Sequence, residues 1–184
     1  MLRWYAVYTR SRHEKCVSRL LEGKSVEIFL PTYESVHRWN DRNALVSQPI
    51  FPGYLFVRIG LADRMRVLST PGVVNFVGVH DRPCAIPDEE LAALRVCWQH
   101  QLRMEPHPYL VVGRRVRVKQ GMLAETEGIL VRKKGKFRLV LSVNLITRSV
   151  AVEVDARDVV SVEGRSADAH RSSTNTSEAS LPTH

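Results

Sequence analysis

The chain has 184 residues, 44% of them apolar and 25% charged, with a formal net charge of +8. That length holds one medium domain or two small ones with real cores. No apolar run approaches the roughly 20 residues of a bilayer span, and the opening stretch is too short in apolar residues for a secretory leader.

From the N-terminus, "RWYAVYTR" predicts a strand over Trp4–Tyr8. In "SRHE", Ser11 with Glu14 three residues on is the capping-box pattern of a helix start. Cys16, Val17, Leu20 and Leu21 then recur at helical spacing and are expected to face a core, with His13 packed on the same side. Arg12, Lys15, Arg19 and Glu22 fall opposite, and Gly23 is a stop signal. "VEIFLPTYESVHRW" is extended, broken at Pro31. It turns at "NDRN" (Asn40–Asn43) into "ALVSQPIF", a hairpin with His37, Arg38 and Arg42 near its tip. "GYLFVRI" is apolar at Leu55, Phe56, Val57 and Ile59, as a central strand must be. "LADRMRVLST" suits a short helix stopped by Pro71, and "VVNFVGV" another strand. "IPDEELAALRVCWQHQL" predicts a helix entered at Pro87-Asp88, with acidic residues complementing the dipole of its first turn. Residues 1–103 therefore read as an α+β sandwich, a mixed sheet flanked by helices.

"RMEPHPYLVVG" carries Pro106 and Pro108, so residues 104–110 read as a linker. Beyond it the texture changes. "RRVRVK" alternates Val116 and Val118 with Arg115, Arg117 and Lys119, the period of a half-buried strand. "GILVRKKGKFRLVLSV" is two strands joined through Lys133–Lys136 with Gly135 in the turn. "RSVAVEVD" alternates through Val150, Val152 and Val154, and "DVVSVE" closes. Five short strands over residues 111–164 suit a small barrel, and stiff valines favour strand over helix there. The Ser/Thr-rich tail, residues 165–184, is expected to be disordered.

Cys16, Cys84 and Cys97 form neither a CxxC nor an even set, so reduced thiols in a cytoplasm are expected. A zinc site joining Cys84, Cys97, His100 and His107 would lack a second close ligand pair. No metal or cofactor is expected. Nor do the residues supply a catalytic triad, paired carboxylates or a phosphate-cradling loop, so no enzyme is expected either. Of the positive charge, +5 falls between residues 101 and 164, where 12 basic residues stand against 7 acidic. That balance favours nucleic acid or an acidic partner.

Three groups of residues ask for a role. In "QPIFPGYLFVRIG" (Gln48–Gly60), Phe51, Tyr54 and Phe56 crowd a Pro52-Gly53 corner although aromatics are only 7% of the chain. They are either core or a rigid apolar patch for a partner; along the strand, Tyr54 and Phe56 share one face and Leu55 and Val57 the other. Arg10, Arg12, Lys15 and Arg19 are either a phosphate-neutralising stripe or a solvated helix face. Met122-Leu123 after Gly121, and Leu145-Ile146, put apolar residues into two turns, as an exposed patch or as closure of a barrel end.

The two halves in this order resemble the NusG family of transcription elongation factors. The first is similar to the NGN domain in "WYAVYT", "LPTY", "FPGYLFV", "GVVNFVG" and "AIP". The second is similar to the five-stranded, SH3-like KOW barrel, with Gly113, Gly121 and Gly128 in "VGRRVRVKQGMLAETEGIL" and then "FRLVLSVNLITRSVAVEV". The resemblance covers about residues 3–163. It implies a contact from Tyr8, Phe51, Pro52, Tyr54 and Phe56 to the clamp helices of the largest subunit of RNA polymerase. It implies that Arg10, Arg12, Lys15 and Arg19 approach upstream or non-template DNA. It implies that Met122, Leu123, Leu145 and Ile146 dock a small-subunit ribosomal protein. Relatives that bind termination factor Rho carry phenylalanines in those loops, and their absence here argues against Rho. "NLITRSVAVEVD" looks closer to specialised paralogues such as RfaH, which implies an antiterminator promoting processive elongation. RfaH's base-reading side chains are not matched at Leu20 and Gly23, nor is its His-Thr-Thr run at Leu61–Arg66. Two alternatives stand: a general factor of the family coupling polymerase to Rho or the ribosome, and a KOW-type ribosome-associated RNA-binding protein. A monomer in a bacterial cytoplasm is expected.

Overall fold

A computed structural model describes residues 1–39, 42–80, 82–110, 112–133 and 135–162, with the side chains of 37–39, 42, 43 and 133 outside the description. In chain order the first part holds β1 (Arg3–Thr9), α1 (Glu14–Glu22), β2 (Glu27–Phe29), β3 (Thr32–Trp39), β4 (Arg42–Pro49), β5 (Tyr54–Ile59), α2 (Arg64–Leu68), β6 (Val73–Phe76), β7 (Gly78–Val79), β8 (Arg82–Pro83), β9 (Ala85–Ile86) and α3 (Asp88–Gln99). The second holds β10 (Met104–His107), β11 (Arg115–Val118), β12 (Glu127–Lys133), β13 (Lys136–Val143), β14 (Arg148–Val154) and β15 (Val159–Ser161). No helix among the described residues is long and apolar enough to cross a membrane. The expected tail, residues 165–184, and the hairpin-tip side chains of His37, Arg38 and Arg42 lie outside the described residues.

The main sheet runs β2-β5-β1-β6, with β9 also pairing to β1. β1 and β5 are apolar on both faces, so both faces must be covered. Val17 and Leu21 of α1 and Val67 of α2 cover Tyr5, Val7, Leu55 and Val57. Leu91, Leu94 and Cys97 of α3 cover Trp4, Ala6 and Phe56 on the other side. Each fully buried Leu, Val or Phe here contributes about 1.5–3 kcal/mol relative to exposure. Every pairing in the sheet is antiparallel, where a mixed sheet was expected. Side-chain alternation specifies faces, not strand direction.

Helix α1 keeps its expected period but not its expected phase. The buried stripe is Glu14, Val17, Ser18 and Leu21, and both Cys16 and Leu20 are exposed. The helix starts at Glu14 with His13 as an exposed N-cap and no side-chain cap, so neither the capping box nor a packed His13 forms. Rotation by one residue buries the Glu14 carboxylate, for which the partner is described below. β3 and β4 pair as a separate ribbon in which Val36 stands opposite Leu45.

All five strands expected after residue 110 form. Their sheet has six, in the order β10-β14-β13-β12-β11-β15. Val116, Val118, Leu139, Leu141, Val150 and Val152 fill the interior. The sixth strand is β10, from the segment read as a linker: Met104–His107 pairs antiparallel with Val152–Ser149 of β14. Pro106 is tolerated because an edge strand needs only half its hydrogen bonds. An ion pair from Glu105 to the nearly buried Arg138 of β13 reinforces the strand. Asp155 caps the 3₁₀ turn Ala156–Asp158 by accepting from the Arg157 N–H at 2.9 Å, and its pKa is held down at about 2 by that side chain and backbone. A depressed carboxylate stabilises above its unfolded pKa, so this cap is lost only as pH falls towards 2.

Gly128 explains one glycine of the barrel pattern. A Cβ there would lie 2.7 Å from the Val140 carbonyl oxygen on the neighbouring strand and 2.9 Å from a Leu139 methyl. Gly128→Ala should destabilise the barrel by about 1–3 kcal/mol, because backbone must shift to admit the methyl. Thermal unfolding followed by far-ultraviolet circular dichroism checks this. An unchanged midpoint would mean the two strands are not so closely apposed.

Candidate functional site

The Pro-Gly corner between β4 and β5 is held from three directions. Tyr54 N–H donates to the Phe51 carbonyl at 3.0 Å, closing a turn. Pro52 presets its own φ, and Gly53 takes φ +82°, the pattern of a type II turn that disfavours any side chain at the third position. The Gly53 N–H then donates to Oε1 of the buried Glu14 at 2.7 Å, and the Gly53 carbonyl accepts from Thr9 N–H at 2.8 Å. A carboxylate acceptor on a buried donor is among the stronger neutral-to-charged hydrogen bonds, worth roughly 1.5–3 kcal/mol. A Cβ at Gly53 would sit 3.2 Å from Cε2 of Tyr8, so the Tyr8 ring lies across the glycine.

This places two rings side by side. Tyr8 and Tyr54 are cross-strand partners on β1 and β5, with centroids 5.5 Å apart and planes inclined at 49°. Tyr8 is 43% exposed, Tyr54 half-buried, and Pro52 exposed. Asn75, opposite Tyr8 on β6, and Val74 are exposed beside them. The sheet face that buries Trp4, Ala6 and Phe56 thus runs out into solvent at Tyr8 and Tyr54. Rigid rings with polar tips on a pinned backbone suit a protein surface rather than bond chemistry.

Two members of the expected contact are core instead. Phe51 is 1% exposed and meets Phe56 edge-to-face at 5.7 Å; Phe56 is fully buried and stacks on Phe29 at 6.0 Å. Neither ring reaches a partner without leaving the interior. Tyr54 and Phe56 do share a face, but Phe56 lies inside the cluster that α3 joins, whereas Tyr54 packs only partly against it.

Arg10, Arg12 and Arg19 are exposed, and their guanidinium groups have no partner among the described residues. Lys15 differs: its Nζ donates to the Ser47 carbonyl at 2.6 Å and ties α1 to the ribbon. Arg12 adopts a left-handed backbone, φ +62°, immediately before the helix. In Leu61–Arg66, Asp63 and Arg66 form an exposed pair at 3.7 Å, while Leu61 and Met65 present their side chains to solvent.

The barrel turns are split in the same way as the corner. Leu123 and Ile146 are 6% and 4% exposed and belong to the interior, so they close the barrel end and do not form one patch with their neighbours. Met122 is 54% exposed, and Leu145 is half-buried. Cys97 lies on the buried face of α3, where burial pushes its thiol up to about 12.

Sequence reasoning missed Glu14 as a member of the site. Acidic residues in a helix's first turn normally complement the dipole, and nothing in the local pattern marks this one as turned inward. The available signal lay 39 positions away, in a Pro-Gly turn whose glycine N–H needed an acceptor. It also missed Glu90 and Asn144. Oε2 of Glu90 accepts from the Asn144 N–H at 3.0 Å, and Oε1 accepts from Asn144 Nδ2 at 2.7 Å, joining α3 to the barrel.

Comparison with known proteins follows the same division. Residues 2–95 match the family model described as transcription termination factor nusG. The chain is 30% identical to the transcription termination/antitermination protein NusG of Thermus thermophilus, covering 86% of this chain and 98% of that one. It is also 30% identical to the protein of that name from Neisseria meningitidis, covering 85% and 96%. Among solved structures it is similar to Thermotoga maritima NusG, in work on that protein's domain interaction. The TM-score is 0.56 at 21% identity, with 89% of this chain and 98% of that one aligned. That likeness speaks for the fold of both halves together.

Proposed function

The chain belongs to the NusG family, and on that premise we propose that it docks on the clamp helices of RNA polymerase's largest subunit through Tyr8, Pro52 and Tyr54. The observation that carries this reading is the pinned, solvent-facing Tyr8–Tyr54 pair. Two rings held at fixed separation bury area at little entropic cost, which fits a groove-and-helix contact. The unpartnered Arg10 and Arg12 before α1 and Arg19 on it neutralise phosphates of upstream or non-template DNA, each adding about one unit to the salt dependence. The protein works by binding: a ligand that prefers the closed clamp shifts the polymerase towards that state and shortens pauses.

Within the family we infer a specialised antiterminator. With Leu123 and Ile146 turned inward, the barrel loops offer Met122 and part of Leu145, a small apolar area for docking Rho. In vitro transcription on a pausing template, with and without Rho, tests this. Read-through should rise several-fold and be indifferent to Rho. Increased termination on adding Rho would favour the general factor of the family instead, and no effect on elongation in either arm would overturn the proposal.

A further inference from the structure

One backbone unit carries both rings of the tyrosine corner. Gly53 leads directly into Tyr54, and the Tyr8 ring lies across it, with Cε2 3.2 Å from where a Cβ would stand. Fixing Gly53 therefore fixes the pair. Its two polar groups are taken from one side of the corner: the carbonyl accepts from the Thr9 N–H, and the N–H donates to the Glu14 carboxylate. Between those two residues the chain makes a tight loop. His13 N–H donates to the Arg10 carbonyl at 3.0 Å, and Arg12 is left-handed.

A second Pro-Gly turn, Pro71-Gly72, braces the same loop. The Gly72 carbonyl accepts from the Arg10 N–H at 2.8 Å. The glycine packs so closely on α1 that a Cβ there would lie 2.8 Å from a Val17 methyl and 3.3 Å from the His13 Cβ. Thr9 and Arg10 are thus held through backbone alone, whereas the Gly53 N–H depends on one side chain. Glu14 is 5% exposed, and that N–H at 2.7 Å is its one hydrogen-bond partner among the described residues. Burying a carboxylate is unfavourable unless a donor meets it. The inward turn of Glu14 is therefore explained by what it holds, not by packing.

We propose that Glu14 is the positioning residue of the polymerase contact: its carboxylate holds Gly53, and through it the Tyr8 and Tyr54 rings, in the geometry that docks. This rests on the docking reading given above. Glu14 itself touches no partner, because it is buried beneath the turn. Without the acceptor, the Gly53 N–H regains a hydrogen bond only by turning to water, and a glycine has the conformational freedom to do so. The two rings then lose their common surface, and a partner must re-order them as it binds, which lowers affinity. Reach matters more than charge, since an amide oxygen in the same place accepts the same N–H.

The test pairs hydrogen exchange at the Gly53 amide with titration of the full-length protein against core polymerase. In the wild type that amide should exchange far more slowly than a turn amide open to water; an open-turn rate would overturn the assignment before any variant is made. Glu14→Ala should weaken binding about tenfold, measured where tryptophan-detected unfolding shows it folded, and Glu14→Gln should recover most of that loss. In a Tyr8→Ser, Tyr54→Ser background Glu14→Ala should cost nothing further, because it acts only through those rings. If the tyrosine substitutions leave binding unchanged, the docking reading fails and the proposal with it. If they weaken binding but Glu14→Ala alone does not, the docking reading stands and the positioning role falls. A full additional loss in the ring-less background, or a Glu14→Gln variant as weak as the alanine, would also overturn it.

Discussion

Phe51→Ala should destabilise the N-terminal domain by about 3–5 kcal/mol, the loss typical of a large aromatic deleted from a packed core. The ring is 1% exposed, lies edge-on to Phe56, and belongs to the layer between the main sheet and α3. Urea unfolding followed by tryptophan fluorescence reads that domain alone, because Trp4, Trp39 and Trp98 all fall within the first 103 residues. The same variant should lose polymerase binding only in proportion to the unfolded fraction, so that cooling or an added osmolyte restores it. A destabilisation below about 1 kcal/mol, accompanied by lost binding at every temperature, would mean that Phe51 touches the partner itself.

The contrast between Phe51 and Tyr54 shows where the sequence is informative. Alternation identified the faces correctly: Tyr54 and Phe56 lie together, as do Leu55 and Val57. What alternation cannot carry is the length of the helix laid over a face. Phe56 is enclosed in the cluster that α3 joins and Tyr54 packs only partly against it, a difference of three-dimensional extent. Helix α1 is a parallel case. Its period was legible, but its phase was set by a buried hydrogen bond from Gly53 to Glu14, 39 positions apart. The barrel strands were the most legible elements, because β-branched residues at every second place leave little alternative. β10 escaped for the opposite reason. Pro106 and Pro108 speak for a connector, and only the open edge of β14 beside them makes a strand of Met104–His107. The same holds for Leu123 and Ile146, whose inward direction depends on how the turns close over the barrel end.

Tyr8→Ser combined with Tyr54→Ser should weaken binding to RNA polymerase by about 3 kcal/mol, on the order of a hundredfold in Kd. The estimate rests on two partly exposed rings that together offer one continuous surface, with Pro52 beside them. Each single substitution should cost more than half of the total, because losing either ring also removes the support it gives the other. Rings 5.5 Å apart support each other, so a double-mutant cycle should return a coupling of about 0.5–1.5 kcal/mol. Tyr54→Phe keeps the ring and should bind nearly as the wild type does, which separates apolar contact from a hydrogen bond through the hydroxyl. Titration of labelled full-length protein with core polymerase gives these affinities, and tryptophan-detected unfolding confirms that the serine variants stay folded. Because the backbone of the corner is pinned through Gly53 by Glu14 and Thr9, removing the rings should leave the turn in place. A folded double variant that binds with unchanged affinity would put the polymerase contact on another face of the domain.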